Sequence, residues 1–228
     1  MNIHEGHRQR LKERFLKDGL SGFEDHNILE LLLFYSVPRA DTNEIGHRLL
    51  KKFGSLSQVF DASVEELCQV EGIGIHSATL IKLIPQLCGA YSTDKTKNIT
   101  ILNSTKDLGE YFIPRFMGKM DEEIHMVLLD NKNKIVKSEI IAKGSIDTVT
   151  FPIRYIISQT ISYNATGVVL AHNHPAGVAL PSVSDLKMTR RIFEALKLAE
   201  VRLKDHIIVA DDDYVSLLDS GCFADYDY

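Results

Sequence analysis

The sequence predicts an α+β protein, an all-helical N-terminal region followed by helices packed on a mixed sheet. Three observations predict it. Through residues 1–91 apolar residues recur at helical spacing. A polar stretch without apolar anchors, Tyr91-Ser-Thr-Asp-Lys-Thr-Lys-Asn98, then reads as a linker over residues 92–100. From Ile101 short branched runs alternate with helical patterns, so residues 101–228 read as a second domain.

Composition narrows the function classes. The 228 residues are 44% hydrophobic and 25% charged, ordinary for a soluble protein of one or two domains. The N-terminus has no apolar signal core, and no apolar run reaches the length of a bilayer span, so a cytoplasmic protein without a membrane partner is expected. Cys68, Cys88 and Cys222 are too scattered for a disulfide framework or a Cys-x-x-Cys metal site. Any metal must rest on histidine and carboxylate. The net charge of −5 comes from 26 basic and 31 acidic residues, and neither region is basic, so any DNA contact must be local and salt-sensitive.

The elements follow in order. His7 to Leu20 forms a helix that Gly19 and Gly22 end, and Ile28 to Tyr35 forms another that stops before Pro38. Thr42 or Asn43 caps a third helix, with Ile45, Leu49, Leu50 and Phe53 inward and Gly54 as its stop. Ser63 and Glu66 fit a capping box. Val70-Glu71-Gly72-Ile73-Gly74-Ile75 resembles the turn of a helix-hairpin-helix module, with its second helix running to about Leu87. The glycines allow tight backbone geometry, exposed amides at the helix start can hold a DNA phosphate, and Lys82 can add a charge. The competing reading is a tight turn with Ile73 and Ile75 plugging the core. Beyond the linker, Ser104 or Thr105 caps a helix to Phe116, and strands over 124–129 and 135–142 flank a turn at 130–134. A helix over 152–163, a strand from Gly167, a helix from Ser182, a strand over 201–210 and a last strand over 214–218 complete the pattern.

The chemistry concentrates in Ala171-His-Asn-His-Pro-Ala-Gly177 and Pro181-Ser-Val-Ser-Asp185. In an extended chain His172 and His174 point to one side and Asn173 to the other. Asp185 falls in the first turn of the next helix. Two imidazoles and a carboxylate brought together from a strand end and a helix start make a three-ligand zinc site with one position open to water. Each residue also has a plainer reading: histidines at a strand end hydrogen-bond to neighbours, and Ser182-Val-Ser-Asp185 is a helix-start pattern.

The spacing His172-x-His174, seven residues, Ser182, two residues, Asp185 resembles the JAMM motif of MPN-domain zinc hydrolases. Together with Asp205-His-Ile-Ile208, Tyr214-Val-Ser216 and the helical region through Gly74, it is similar to the RadC branch over nearly the whole chain. The resemblance implies an N-terminal helix-hairpin-helix region before an MPN domain. It implies zinc (Zn2+) held by His172, His174 and Asp185, with Ser182 steadying an oxyanion. It also implies an upstream glutamate that moves a proton from the zinc-bound water. Glu123 is the choice at the entry to the first strand, with Glu122 and Glu139 as alternatives. The chain departs from the family pattern at Ala176, at Gly144-Ser-Ile-Asp147 and at Phe151-Pro-Ile-Arg154.

The function expected is zinc-dependent hydrolysis of an amide in a protein or peptide substrate. The alternative is a DNA-associated repair or recombination adaptor, bound through the Gly72–Gly74 hairpin and Lys82, whose metal is structural or vestigial. A hydrolase acting on a non-protein substrate is a third reading. The Pro-Cys-x-x-Cys segment of zinc nucleobase deaminases is absent.

Overall fold

A computed structural model of the chain describes residues 3–144, 152–175 and 177–223. The chain divides into two units, Met1–Leu87 and Cys88–Tyr228. In the first, α1 (Ile3–Asp18) is stopped by Gly19 at φ 65°. It is followed by α2 (Asp25–Leu33), α3 (Thr42–Phe53), α4 (Leu56–Asp61), α5 (Val64–Cys68) and the start of α6 (Ile75–Lys95). Leu29, Leu33, Ile45, Leu49, Leu67 and Ile81 are buried at the centre. The cap of α3 is Asp41, whose carboxylate accepts the Asn43 amide at 3.0 Å, one residue before the expected Thr42 or Asn43. Ser63 and Glu66 form the expected capping box.

The hairpin turn holds Gly72 at φ 93°, where an added Cβ would run into Ile45. Ile73 is buried and plugs the core, but Ile75 is 58% exposed. Lys82 donates to the Phe60 and Asp61 carbonyls at 2.6 and 3.2 Å, so its ammonium closes the C-terminal end of α4. The second hairpin helix runs past Leu87 to Lys95, so the residues expected as a linker open in its last turn. None of Tyr91, Ser92, Thr93, Asp94 or Lys95 forbids helical geometry, and the first proline after them comes only at residue 114.

The second unit begins with α7 (Thr105–Phe116), started by a Ser104–Asp107 capping box. A hairpin of β1 (Glu123–Leu129) and β2 (Ile135–Lys143) follows, then α8 (Ile153–Ser162), β3 (Gly167–Asn173), α9 (Val183–Leu198), β4 (Arg202–Ala210) and β5 (Asp213–Ser216). The sheet runs β2-β1-β3-β4-β5. Only β3 and β4 pair in parallel, joined through α9, which makes the sheet mixed. Fold class is therefore α+β, as the sequence predicts.

Strands β1 and β3 are buried along their whole length because helices cover both faces of the sheet. On one face Met126, Leu128, Val168, Leu170 and Ile208 pack with Ile156 of α8 and with Ile192, Phe193 and Leu196 of α9. On the other, Val127, Leu129, Val169, Ala171, Ile207 and Val209 pack with Leu108, Phe112 and Phe116 of α7. Among the described residues no helix is long and apolar enough to cross a membrane. Ser145 to Asp147, Phe151 and Ala176, where the sequence departs from the family pattern, lie outside the described residues.

Leu170 is fully buried at the middle of the sheet. Leu170→Ala is expected to cost about 2–5 kcal/mol of stability, read as a lower urea midpoint, because the removed atoms leave a cavity on a rigid strand.

Candidate metal centre

Strand pairing places His172 opposite Ile124 of β1 and Ile208 of β4, on the α9 face. His174 lies just past the strand end, anchored by its own amide donating to the Val209 carbonyl at 2.8 Å. Its Nδ1 faces the Val178 carbonyl at 3.0 Å, and because a carbonyl can only accept, Nδ1 carries the hydrogen. That leaves Nε2 as the ring's outward donor atom. Asp185 comes from the first turn of α9, where it and Ser182 form a capping box. Asp185 Oδ2 accepts the Ser182 amide at 2.7 Å, and Ser182 Oγ accepts the Asp185 amide at 3.1 Å. The capping reading and the ligand reading thus describe the same carboxylate. The cap fixes its rotamer, and the fixed rotamer faces the imidazoles.

The geometry is close. His172 Nε2 is 3.0 Å from His174 Nε2 and 3.3 Å from Asp185 Oδ1, and His174 Nε2 is 3.5 Å from Asp185 Oδ2. Metal bonds of 2.0–2.1 Å in a tetrahedron set neighbouring ligand atoms about 3.3 Å apart. The two imidazole nitrogens lie near that spacing, and with one Asp185 oxygen all three atoms fall within 4.8 Å of one another, a group that could hold a metal ion. His172 and Asp185 are buried and His174 is half-buried, so the group opens to one side only.

Electrostatics agree with a site built for positive charge. Burial works to raise the Asp185 pKa, but the close His172 and His174 rings and the hydrogen bond from Ser182 outweigh it and hold the carboxyl well below the usual range. The hydrogen bond to Asp185 raises the His174 pKa against burial, and the charge of Glu122 adds to the rise.

His206 of β4 and Thr189 of α9 stand behind the group. His206 Nε2 is 2.8 Å from His172 Nδ1, its Nδ1 is 2.6 Å from Thr189 Oγ1, and Thr189 Oγ1 is 2.6 Å from the Asp185 carbonyl oxygen. Burial pushes the His206 pKa well down, so the ring is neutral. The sequence reading gave neither residue a role. The available signal was a histidine inside the apolar run of β4, where a bare imidazole would be costly.

The three candidate glutamates separate. Glu123 pairs across β1 and β3 next to Asn173, on the α7 face, opposite to His172. Its carboxylate is held by Lys143 at 2.9 Å, by Lys119 at 3.3 Å and by His125 at 3.4 Å, and the His125 ring packs on Phe116 of α7. The fold does not bring Glu123 to the His172–His174–Asp185 group, contrary to the expectation from sequence. The reason is parity: one residue along a strand reverses the face. Glu139 on β2 is engaged by Tyr155 and Lys137, each at 3.0 Å. Glu122 is half-buried and near enough to His174 for its charge to act there. Asn173 Oδ1 accepts the Glu123 amide at 2.7 Å, Asn173 Nδ2 donates to the Asp121 carbonyl at 3.1 Å, and the Gly144 amide donates to the Glu122 carbonyl at 2.8 Å. The backbone carrying Glu122 is therefore held on both sides.

Burial acts to raise the Glu123 pKa, but the bonds from Lys143 and His125 and the charge of Lys119 lower it overall. The unfolded chain then takes up this proton at a higher pH than the folded one. The stabilisation is complete above the ordinary glutamate pKa of about 4.3 and is lost as pH falls through the lowered value. Urea midpoints measured across the acid range should fall more steeply for wild type than for Glu123→Gln; equal slopes would contradict this electrostatic role.

Family models match the chain as a RadC-like JAB domain over residues 102–222 and as UPF0758 N-terminal over residues 4–79. A UPF0758 protein of Fusobacterium nucleatum is 35% identical over 224 residues, covering 95% of this chain and 97% of that protein. UPF0758 proteins of Aliivibrio fischeri strain MJ11 and Vibrio parahaemolyticus are each 30% identical. They cover 97% and 92% of this chain, and 98% and 94% of their own lengths. With its sheet unit matched almost end to end and its relatives aligned through both units, the chain belongs to the RadC family of UPF0758 proteins.

Proposed function

We propose that this chain is a zinc-dependent hydrolase that cleaves an amide bond in a protein or peptide. The observation that carries the reading is the convergence of His172, His174 and Asp185 at the open end of β3, where one ligand atom from each lies within 4.8 Å of the others. Zinc bound there would polarise the scissile carbonyl and bring the pKa of a coordinated water to about 7. The Glu122 carboxylate, whose charge reaches His174, would accept the proton released when water attacks and deliver it to the leaving amine nitrogen. The Ser182 oxygen accepts the Asp185 amide, a bond that leaves the hydroxyl hydrogen to donate to the developing oxyanion. Asn173 and Gly144 hold the backbone on which Glu122 rides.

The adaptor reading draws less support, because Lys82 already spends its ammonium on the carbonyls of Phe60 and Asp61. As part of the same proposal the protein works in the cytoplasm, where reducing conditions suit the exposed free thiols of Cys68 and Cys88.

Metal analysis of the purified full-length protein is the first test. Wild type is expected to hold one zinc per chain, and His172→Ala and Asp185→Ala little or none; equal zinc in all three would defeat the assignment. Turnover can be read as new amine termini appearing in a mixed peptide library. Glu122→Gln should keep its zinc and lose about 10²–10⁴-fold in rate, the usual worth of a general acid–base group. Glu123→Gln should keep both zinc and rate. The opposite pattern would return the proton-carrying role to Glu123.

A further inference from the structure

We infer that His206 and Thr189 are positioning residues that lock His172 into the tautomer with hydrogen on Nδ1, so that its Nε2 lone pair faces His174 and Asp185. The inference deepens the proposed function and rests on its ligand set, but the proton positions follow from this chain's own hydrogen bonds.

The direction of the chain is fixed at its far end. The Asp185 main-chain oxygen can only accept, and Thr189 Oγ1 lies 2.6 Å from it. Two oxygens at that separation without a hydrogen between them would repel, so the threonine hydroxyl donates to the carbonyl. That hydroxyl has one hydrogen, so toward His206 it must accept, and His206 Nδ1 donates to it across 2.6 Å. The His206 ring is fully buried and its nitrogens meet only Thr189 and His172, so a positive charge on it would have no anionic partner; its Nε2 therefore holds a lone pair, and His172 Nδ1 donates to it across 2.8 Å. His172, Thr189 and His206 are all fully buried, so the run of bonds is shielded from bulk solvent. His172 Nε2 is left bare. His174 Nε2 stands 3.0 Å and Asp185 Oδ1 3.3 Å from that nitrogen. The return of the chain to the Asp185 main chain links two of the ligands through one run of hydrogen bonds. Such partners behind a ligating imidazole set its orientation and basicity.

The experiment reads tautomers directly. In zinc-free full-length wild type at about pH 8.5, above the ordinary histidine pKa near 6.5, nitrogen–proton correlation spectra of the imidazoles should show His172 and His206 each protonated on Nδ1 alone. A proton on Nε2 of either ring overturns the inference. Thr189→Val removes the hydroxyl at nearly constant shape; it should lose the single His172 tautomer and weaken zinc binding about 10–100-fold, with Thr189→Ser restoring both. A folded Thr189→Val chain with the wild-type tautomer and zinc affinity also overturns it. Should Thr189→Val fail to fold, the wild-type spectrum decides alone. Wild type that takes up no zinc would sink the hydrolase reading, whereas the tautomers are read without metal and stand or fall separately.

Discussion

Everything in the second unit depends on the alternation of side chains along strands that helices cover on both faces. A residue in β1, β3 or β4 has only two places to go, and its neighbour takes the other except at the irregularity beside Lys204 in β4. His172, His206 and Met126 fall to the α9 face, while Asn173, Glu123 and His125 fall to the α7 face. This parity sorts a run of adjacent polar residues into two separate devices. On one side the candidate metal-binding group and its backing histidine assemble. On the other, Asn173 and the lysine-bound Glu123 carboxylate hold the start of β1 in place.

Polar atoms inside such a sheet must all find partners, since each unsatisfied one costs about 1–3 kcal/mol. The site meets that demand by sharing. The Ser182–Asp185 cap satisfies helix amides and aims the carboxylate with the same bonds. Thr189 accepts from His206 and donates to the main chain of Asp185, so α9 is tied to β4 by side chains as well as by apolar packing. Because the capping carboxylate is also the candidate metal ligand, the helix start and the candidate site cannot drift apart.

Much of this was readable in the sequence, for definite reasons. Branched apolar runs and helical spacing found every strand and most helices, because burial on a sheet or a helix face imposes a period. Glycine marked the helix ends that need positive φ, at Gly19 and Gly54. The reading went astray where one residue matters more than a pattern. Asp41 rather than Thr42 caps α3, and polar residues after Leu87 proved compatible with another two turns of helix. The choice between Glu122 and Glu123 turns on the exact frame of β1, which composition does not carry. His206 escaped because its role comes from strand pairing across 34 positions, a relation no local motif expresses.

The candidate ligands all come from one short stretch, residues 172–185, whereas the histidine behind them arrives from β4. That division has a thermodynamic consequence. An unfolded chain keeps its three donors close along the backbone, so it retains some hold on a metal ion, and whatever it retains subtracts from the stabilisation the ion gives the native state. The His172–His206 bond exists only when β3 lies beside β4. Part of any preference of a metal for the native chain over the unfolded one therefore comes from that distant pairing, so ion binding would also favour closure of the sheet.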